Sequence, residues 1–117
     1  MRRFMAVTVV SALALLFAWG ATAQTSKGPE QIILTDGSSQ GPVNFPHHRH
    51  QKALDENCMV CHALFAQAPG SIAKAKSEGK LSPKQVMNSL CIQCHRDRKQ
   101  AGQTSGPTSC TKCHKKE

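Results

Sequence analysis

The sequence predicts a small, mainly helical and irregular domain with a short N-terminal β-hairpin and an interior that its own side chains cannot fill. Three observations predict it. Of 117 residues, 1–23 have the layout of a cleaved export signal, which leaves 94 for a single domain. Beyond that signal only Phe45 and Phe65 are aromatic, so the residues that usually dominate a core are nearly missing. All six cysteines fall in three short, identical patterns, which points to covalent fastening of the kind that chains of this size need.

The signal is read from Arg2-Arg3, the apolar run 4–19 and the small-x-small site Ala21-Thr22-Ala23. A retained anchor is the competing reading; the short run and the cleavage site favour removal. No later segment approaches the roughly 20 apolar residues a spanning helix needs. The remainder, 24–117, is expected to be exported and not to span a membrane. Next, Gln31-Ile32-Ile33-Leu34 and Val43-Asn44-Phe45 flank a stretch rich in Asp, Gly and Ser, the signature of a hairpin. A helix is expected over 46–56. The 28 residues 63–90 contain Pro69-Gly70 and Gly79, so they should form a loop, a short helix near 72–77 and a second helix. Ser82 as N-cap, Pro83 at the first helical position and Gln85 closing a capping box start that second helix. The polar residues 96–109, with Gly102, Gly106 and Pro107, read as loop.

The cysteine patterns are Cys58-x-x-Cys61-His62, Cys91-x-x-Cys94-His95 and Cys110-x-x-Cys113-His114. This is the attachment sequence of c-type haem. Two thiols at that spacing can add across the two vinyl groups of one porphyrin, and the adjoining His then reaches the iron. That spacing argues against three disulfides, and the His after each pair argues against zinc. A zinc ribbon takes four ligands from two pairs and would leave the third pair over. Three haem c groups are therefore expected, with Cys58, Cys61, Cys91, Cys94, Cys110 and Cys113 as anchors and His62, His95 and His114 as proximal ligands. The porphyrins would supply the missing aromatic core.

Three distal positions remain. His47 and His50 are three apart on the expected helix and share a face, so they suit two different haems held close together. His48 lies about 100° round the helix and points elsewhere. Met59 sits inside the first attachment loop, whereas Met87 stands one helical turn before Cys91. A thioether is a soft ligand that raises the potential relative to a second imidazole. Met87 is the candidate for the third sixth ligand; His48, an open iron, or Met87 merely filling a gap are the other readings.

With Val43-x-Phe45-x-His47-x-x-His50 followed by Cys58 eleven residues after His47, the chain resembles the class III cytochromes, and three sites match their triheme form, cytochrome c7. The resemblance runs from Ile32 to Lys116. It implies a small multihaem fold with a short N-terminal two-stranded hairpin around three haems. It implies His47 as distal ligand of the haem on Cys58 and Cys61, and His50 for that on Cys91 and Cys94. The ligand of the last haem, on Cys110 and Cys113, would come from position 87, where most bis-His members carry His and this chain has Met. The loop over 63–81 is longer than in the shortest members.

The formal charge of +8 falls to +6 once Arg2 and Arg3 are removed, with 13 basic against 7 acidic residues. Six propionates and three ferric cores would bring it to about +3 oxidised and about zero reduced, so nucleic acid is not an expected partner. Lys112, Lys115 and Lys116, with Arg96, Arg98 and Lys99, form a basic cluster that reads as a solvated face or as a docking patch for acidic redox partners. The expected function is not enzymatic. A monomeric periplasmic carrier would move electrons between quinol-oxidising membrane cytochromes and other periplasmic or outer-membrane cytochromes. The rival readings are a haem enzyme that binds or reduces a small ligand at one open iron, and an exported zinc module.

Overall fold

The computed structural model describes residues 27–35 and 38–116; the expected signal, 1–23, lies outside them. Strand β1 (Gln31–Leu34) pairs antiparallel with β2 (Val43–Pro46) in the register Ile32 to Phe45 and Leu34 to Val43. Those four side chains are half-buried on one face, while Ile33 and Asn44 point to solvent, as the two-residue period of a strand requires. A third segment joins this sheet. Val43 bridges antiparallel to His114, and the Lys115 amide donates to the Pro42 carbonyl at 3.0 Å, so the C-terminus returns to the hairpin.

Helix α1 (His47–Ala53) leaves β2 directly at Pro46. It stops short of the expected 56 because Asp55 (φ 50°) and Glu56 (φ 62°) turn left-handed. The Asp55 and Glu56 amides return to the Lys52 and Gln51 carbonyls, the two bonds of a Schellman cap. Asp tolerates that conformation better than most residues. Glu56 is tied by an ion pair to Lys27 at 2.7 Å.

Helix α2 (Met59–His62) is the first attachment turn, and α3 (Ser71–Ser77) closes on Gly79 (φ 70°) with a second Schellman cap. At Ser82 only half of the expected capping box forms. The Gln85 side chain accepts the Ser82 amide at 3.0 Å, and helix begins at Gln85. The turn over Met87–Ile92 is π-helical rather than α-helical, an insertion found mostly at functional sites. It runs into α4 (Gln93–Gln100).

The expectation of loop over 96–109 therefore fails in its first half. A Gln93–Asp97 side-chain bond at 2.8 Å supports α4, and Gly102 (φ 69°) is its left-handed cap rather than a loop residue. Arg98 donates from Nε to Thr104 O and from Nη1 to Ala53 O, tying the loop and the end of α1 to α4. Helix α5 (Cys110–Cys113) is the last attachment turn.

Among the described residues only Leu81 (4 % exposed) and Val86 (9 %) are buried. The side-chain core is confined to the junction between α3 and the π turn. Leu81→Ala is expected to cost about 2–3 kcal/mol, read as a lower guanidinium midpoint of the haem-loaded protein. Ile33→Ala, on the solvent face, should stay within about 0.5 kcal/mol of the parent.

Candidate haem-binding site

The cysteines of each motif lie on or at the start of a helical turn; His62 and His95 continue that turn, whereas His114 follows α5 in extended conformation. None of the six thiols is paired in a disulfide. Burial raises the Cys61 and Cys113 thiols above the ordinary thiol range. Cys91 keeps some accessible surface, yet the protein around its sulfur, together with Cys61 and Cys113, pushes it up to about 11. No three His, Cys, Asp or Glu side chains among the described residues converge on a point that could hold a bare metal ion.

The histidines follow one rule. Nδ1–H donates to a backbone carbonyl in five of them: His47 to Pro29 (3.0 Å), His50 to Pro46 (2.9 Å), His62 to Phe65 (3.2 Å), His95 to Pro107 (2.7 Å) and His114 to Gly41 (2.7 Å). That fixes the tautomer and leaves the Nε2 lone pair available to iron. His48 does the opposite and commits Nε2 to the Gly28 carbonyl at 2.9 Å. Burial lowers the His50 pKa below the ordinary 6.5, which keeps its imidazole in the neutral, ligating form.

Two pairs of these imidazoles face one another. The His47 and His62 ring centres are 6.4 Å apart with planes at 88°, and those of His50 and His95 are 6.0 Å apart at 32°. Two iron–nitrogen bonds of about 2.0 Å, plus about 1.1 Å from each nitrogen to its ring centre, add to about 6.2 Å. The centroid separation of each pair matches the span across a single iron. His47 and His50, three apart on α1, thus reach two different attachment motifs.

At the third motif His114 is held between the hairpin and the C-terminus. Gly41 (φ 88°) accepts its Nδ1–H, and a side chain there would collide with the Lys115 carbonyl, so only glycine fits. Met87 is half-buried at the head of the π turn. With hydrogen bonds running to the fifth residue, Met87 stays nearly above Cys91 along the axis. Gln40, Thr111, His114, Lys115 and Lys116 line a cleft of 240 Å³ beside this motif. Within the basic cluster Lys112, Lys115 and Lys116 are exposed, whereas Arg98 is spent on the two carbonyls that tie α4 down.

Residue composition could not reveal the carbonyl acceptors, since every backbone has them. The one signal was proline, which supplies the acceptor for His47, His50 and His95. Gly106 was also missed. The His95 ring lies where its Cβ would be, so the close approach of ring to backbone depends on glycine.

Residues 43–115 match the family described as cytochrome c7 and related cytochrome c. A cytochrome c7 of Geobacter metallireducens is 37 % identical over 83 residues, covering 71 % of this chain and 74 % of its own. Among solved structures, the triheme cytochrome PpcA of Geobacter sulfurreducens superposes with a TM-score of 0.51 at 35 % identity, covering 75 % of this chain and all of that one. PpcC, a cytochrome c7 of the same organism, gives 0.50 at 30 % identity, with 76 % and 100 % coverage. Three Cys-x-x-Cys-His turns, imidazoles spaced for iron and these likenesses converge: the chain belongs to the cytochrome c7 family, small electron-transfer proteins that carry three c-type haems.

Proposed function

We propose that this chain is a periplasmic one-electron carrier with two bis-histidine haems and one histidine–methionine haem. His47 and His62 ligate the first, anchored by Cys58 and Cys61. His50 and His95 ligate the second, anchored by Cys91 and Cys94. His114 and Met87 ligate the third, anchored by Cys110 and Cys113. Bound there, each haem supplies one Fe(III)/Fe(II) couple. The observation that carries the reading is the pairing of imidazoles at 6.0 and 6.4 Å, each with Nδ1–H already donated.

The protein's own groups define how such a carrier works. Imidazoles on both sides of an iron exclude substrate from it, so electrons enter and leave without a bond being made. The backbone carbonyls hold the rings in place, which keeps reorganisation small. The thioether of Met87 sets the third potential above the other two. The engagement of His48 Nε2 by Gly28 argues against His48 and supports Met87 as the sixth ligand of the third haem. Lys112, Lys115 and Lys116 put positive charge beside that motif, where it steers acidic redox partners and speeds encounter more than it tightens binding. Among the described residues no helix is long and apolar enough to cross a membrane. The export signal at 1–23 directs the mature chain to the periplasm, between quinol-oxidising membrane cytochromes and periplasmic or outer-membrane acceptors.

Two outcomes test the ligand scheme. Ferric electron paramagnetic resonance should resolve two bis-histidine forms. Near-perpendicular rings at the first site leave the iron dπ orbitals nearly degenerate and give a highly anisotropic signal, while the 32° pair at the second gives a rhombic one. Met87→His should abolish the thioether-to-iron charge-transfer band and lower one potential on the order of 100 mV, a fraction of the roughly 0.8 V that axial ligands command. Carbon monoxide binding by the native ferrous protein at neutral pH, with Met87→His leaving every potential in place, would instead favour an enzyme with an open third iron.

A further inference from the structure

The sequence offers His48 only as an alternative sixth ligand, and the structure engages it elsewhere. Residues 27–30 form no helix or strand, yet four consecutive carbonyls of this strap accept hydrogen bonds from α1. Lys27 O takes Gln51 Nε2–H at 2.7 Å, Gly28 O takes His48 Nε2–H at 2.9 Å, Pro29 O takes His47 Nδ1–H at 3.0 Å and Glu30 O takes the His48 amide at 3.2 Å. The Lys27–Glu56 ion pair closes the far end at 2.7 Å.

We infer that His48 is a positioning residue for the first haem: it seats the strap on α1 so that the Pro29 carbonyl orients and polarises the His47 ring. The inference rests on His47 being that haem's distal ligand, as proposed above. Pro29 has no amide of its own to pair, so its place is set by its neighbours. Gly28 turns left-handed (φ 86°), and a Cβ there would lie 3.2 Å from His47 Cε1. Strap and ring are therefore in contact, and the strap's seat depends on the His48 and Gln51 side chains flanking His47 on the helix. A carbonyl on Nδ1–H makes the imidazole a stronger donor and favours the ferric state; without it that preference weakens. His48 touches no iron and acts wholly through His47.

The test uses the haem-loaded protein, with haem methyl resonances followed through a redox titration so that each site is read separately. In His48→Ala combined with Gln51→Ala, the first haem should lose about tenfold of its ferric preference, a rise of about 59 mV for one electron. The second and third haems should stay in place. Gln at 48 keeps an N–H for Gly28 O, so His48→Gln alone should hold the parental value. Gly28→Ala, pressing on the His47 ring from the strap side, should move the same haem in the same direction, and it serves if the double variant fails to accumulate. An unchanged first potential in the double variant, an equal shift at all three sites, or a His48→Gln protein whose first potential rises as far as that of the double variant overturns the inference. His47→Ala separates this from the ligand scheme. If it leaves the first haem six-coordinate with its parental spectrum, the ligand assignment has failed; if it opens that haem while His48→Ala with Gln51→Ala changes nothing, the strap has failed.

Discussion

The rest of the described chain depends on one interaction, the hydrogen bond from an imidazole Nδ1–H to a backbone carbonyl, made five times over. It selects the tautomer, aims Nε2 and fixes the plane of the ring, all before iron is considered. Four of the five acceptors, Pro29, Phe65, Pro107 and Gly41, lie outside every helix and strand. Irregular chain here performs the positioning that helices and strands perform elsewhere, and it must be held nearly as rigidly.

The short elements make sense as the means of holding it. Helices of four to eight residues are too short to be stable alone, and here they also bury almost no apolar face. Three of them end in tight left-handed caps, at Asp55, Gly79 and Gly102, each returning two amides to the last turn and redirecting the chain toward the next motif. Arg98 then binds carbonyls from two separate segments. With Leu81 and Val86 as the buried pair, the described side chains form almost no core of their own, which leaves the interior to the three haems the family carries.

This division explains what could be read from sequence. The hairpin, though not its register, was legible because two apolar runs flank a stretch rich in Asp, Gly and Ser. So were the attachment motifs and the shared face of His47 and His50, since spacing alone defines them. Helix ends were less legible. Gly102 was read as one more loop residue when it caps α4, and nothing in the composition marks Asp55 and Glu56 as a turn. Glu56 also pairs with Lys27, which is far away in sequence. The carbonyl acceptors were invisible for a more basic reason: they are chosen by tertiary placement, and any residue could supply them.

Strand β2 shows how so little structure can govern three sites. Its C-terminal end passes straight into the helix bearing His47 and His50, which face the first two motifs. Its N-terminal side, through Gly41, Pro42 and Val43, holds His114 and the chain after it at the third. At about 3.3 Å per residue, four residues of extended chain set these two ends only about 13 Å apart. One strand therefore links ring positions at all three motifs, and a displacement of either end must be transmitted to the other because an extended, paired strand does not stretch. Haems held by rings at both ends of so short a strut would sit close together, as rapid transfer between them requires.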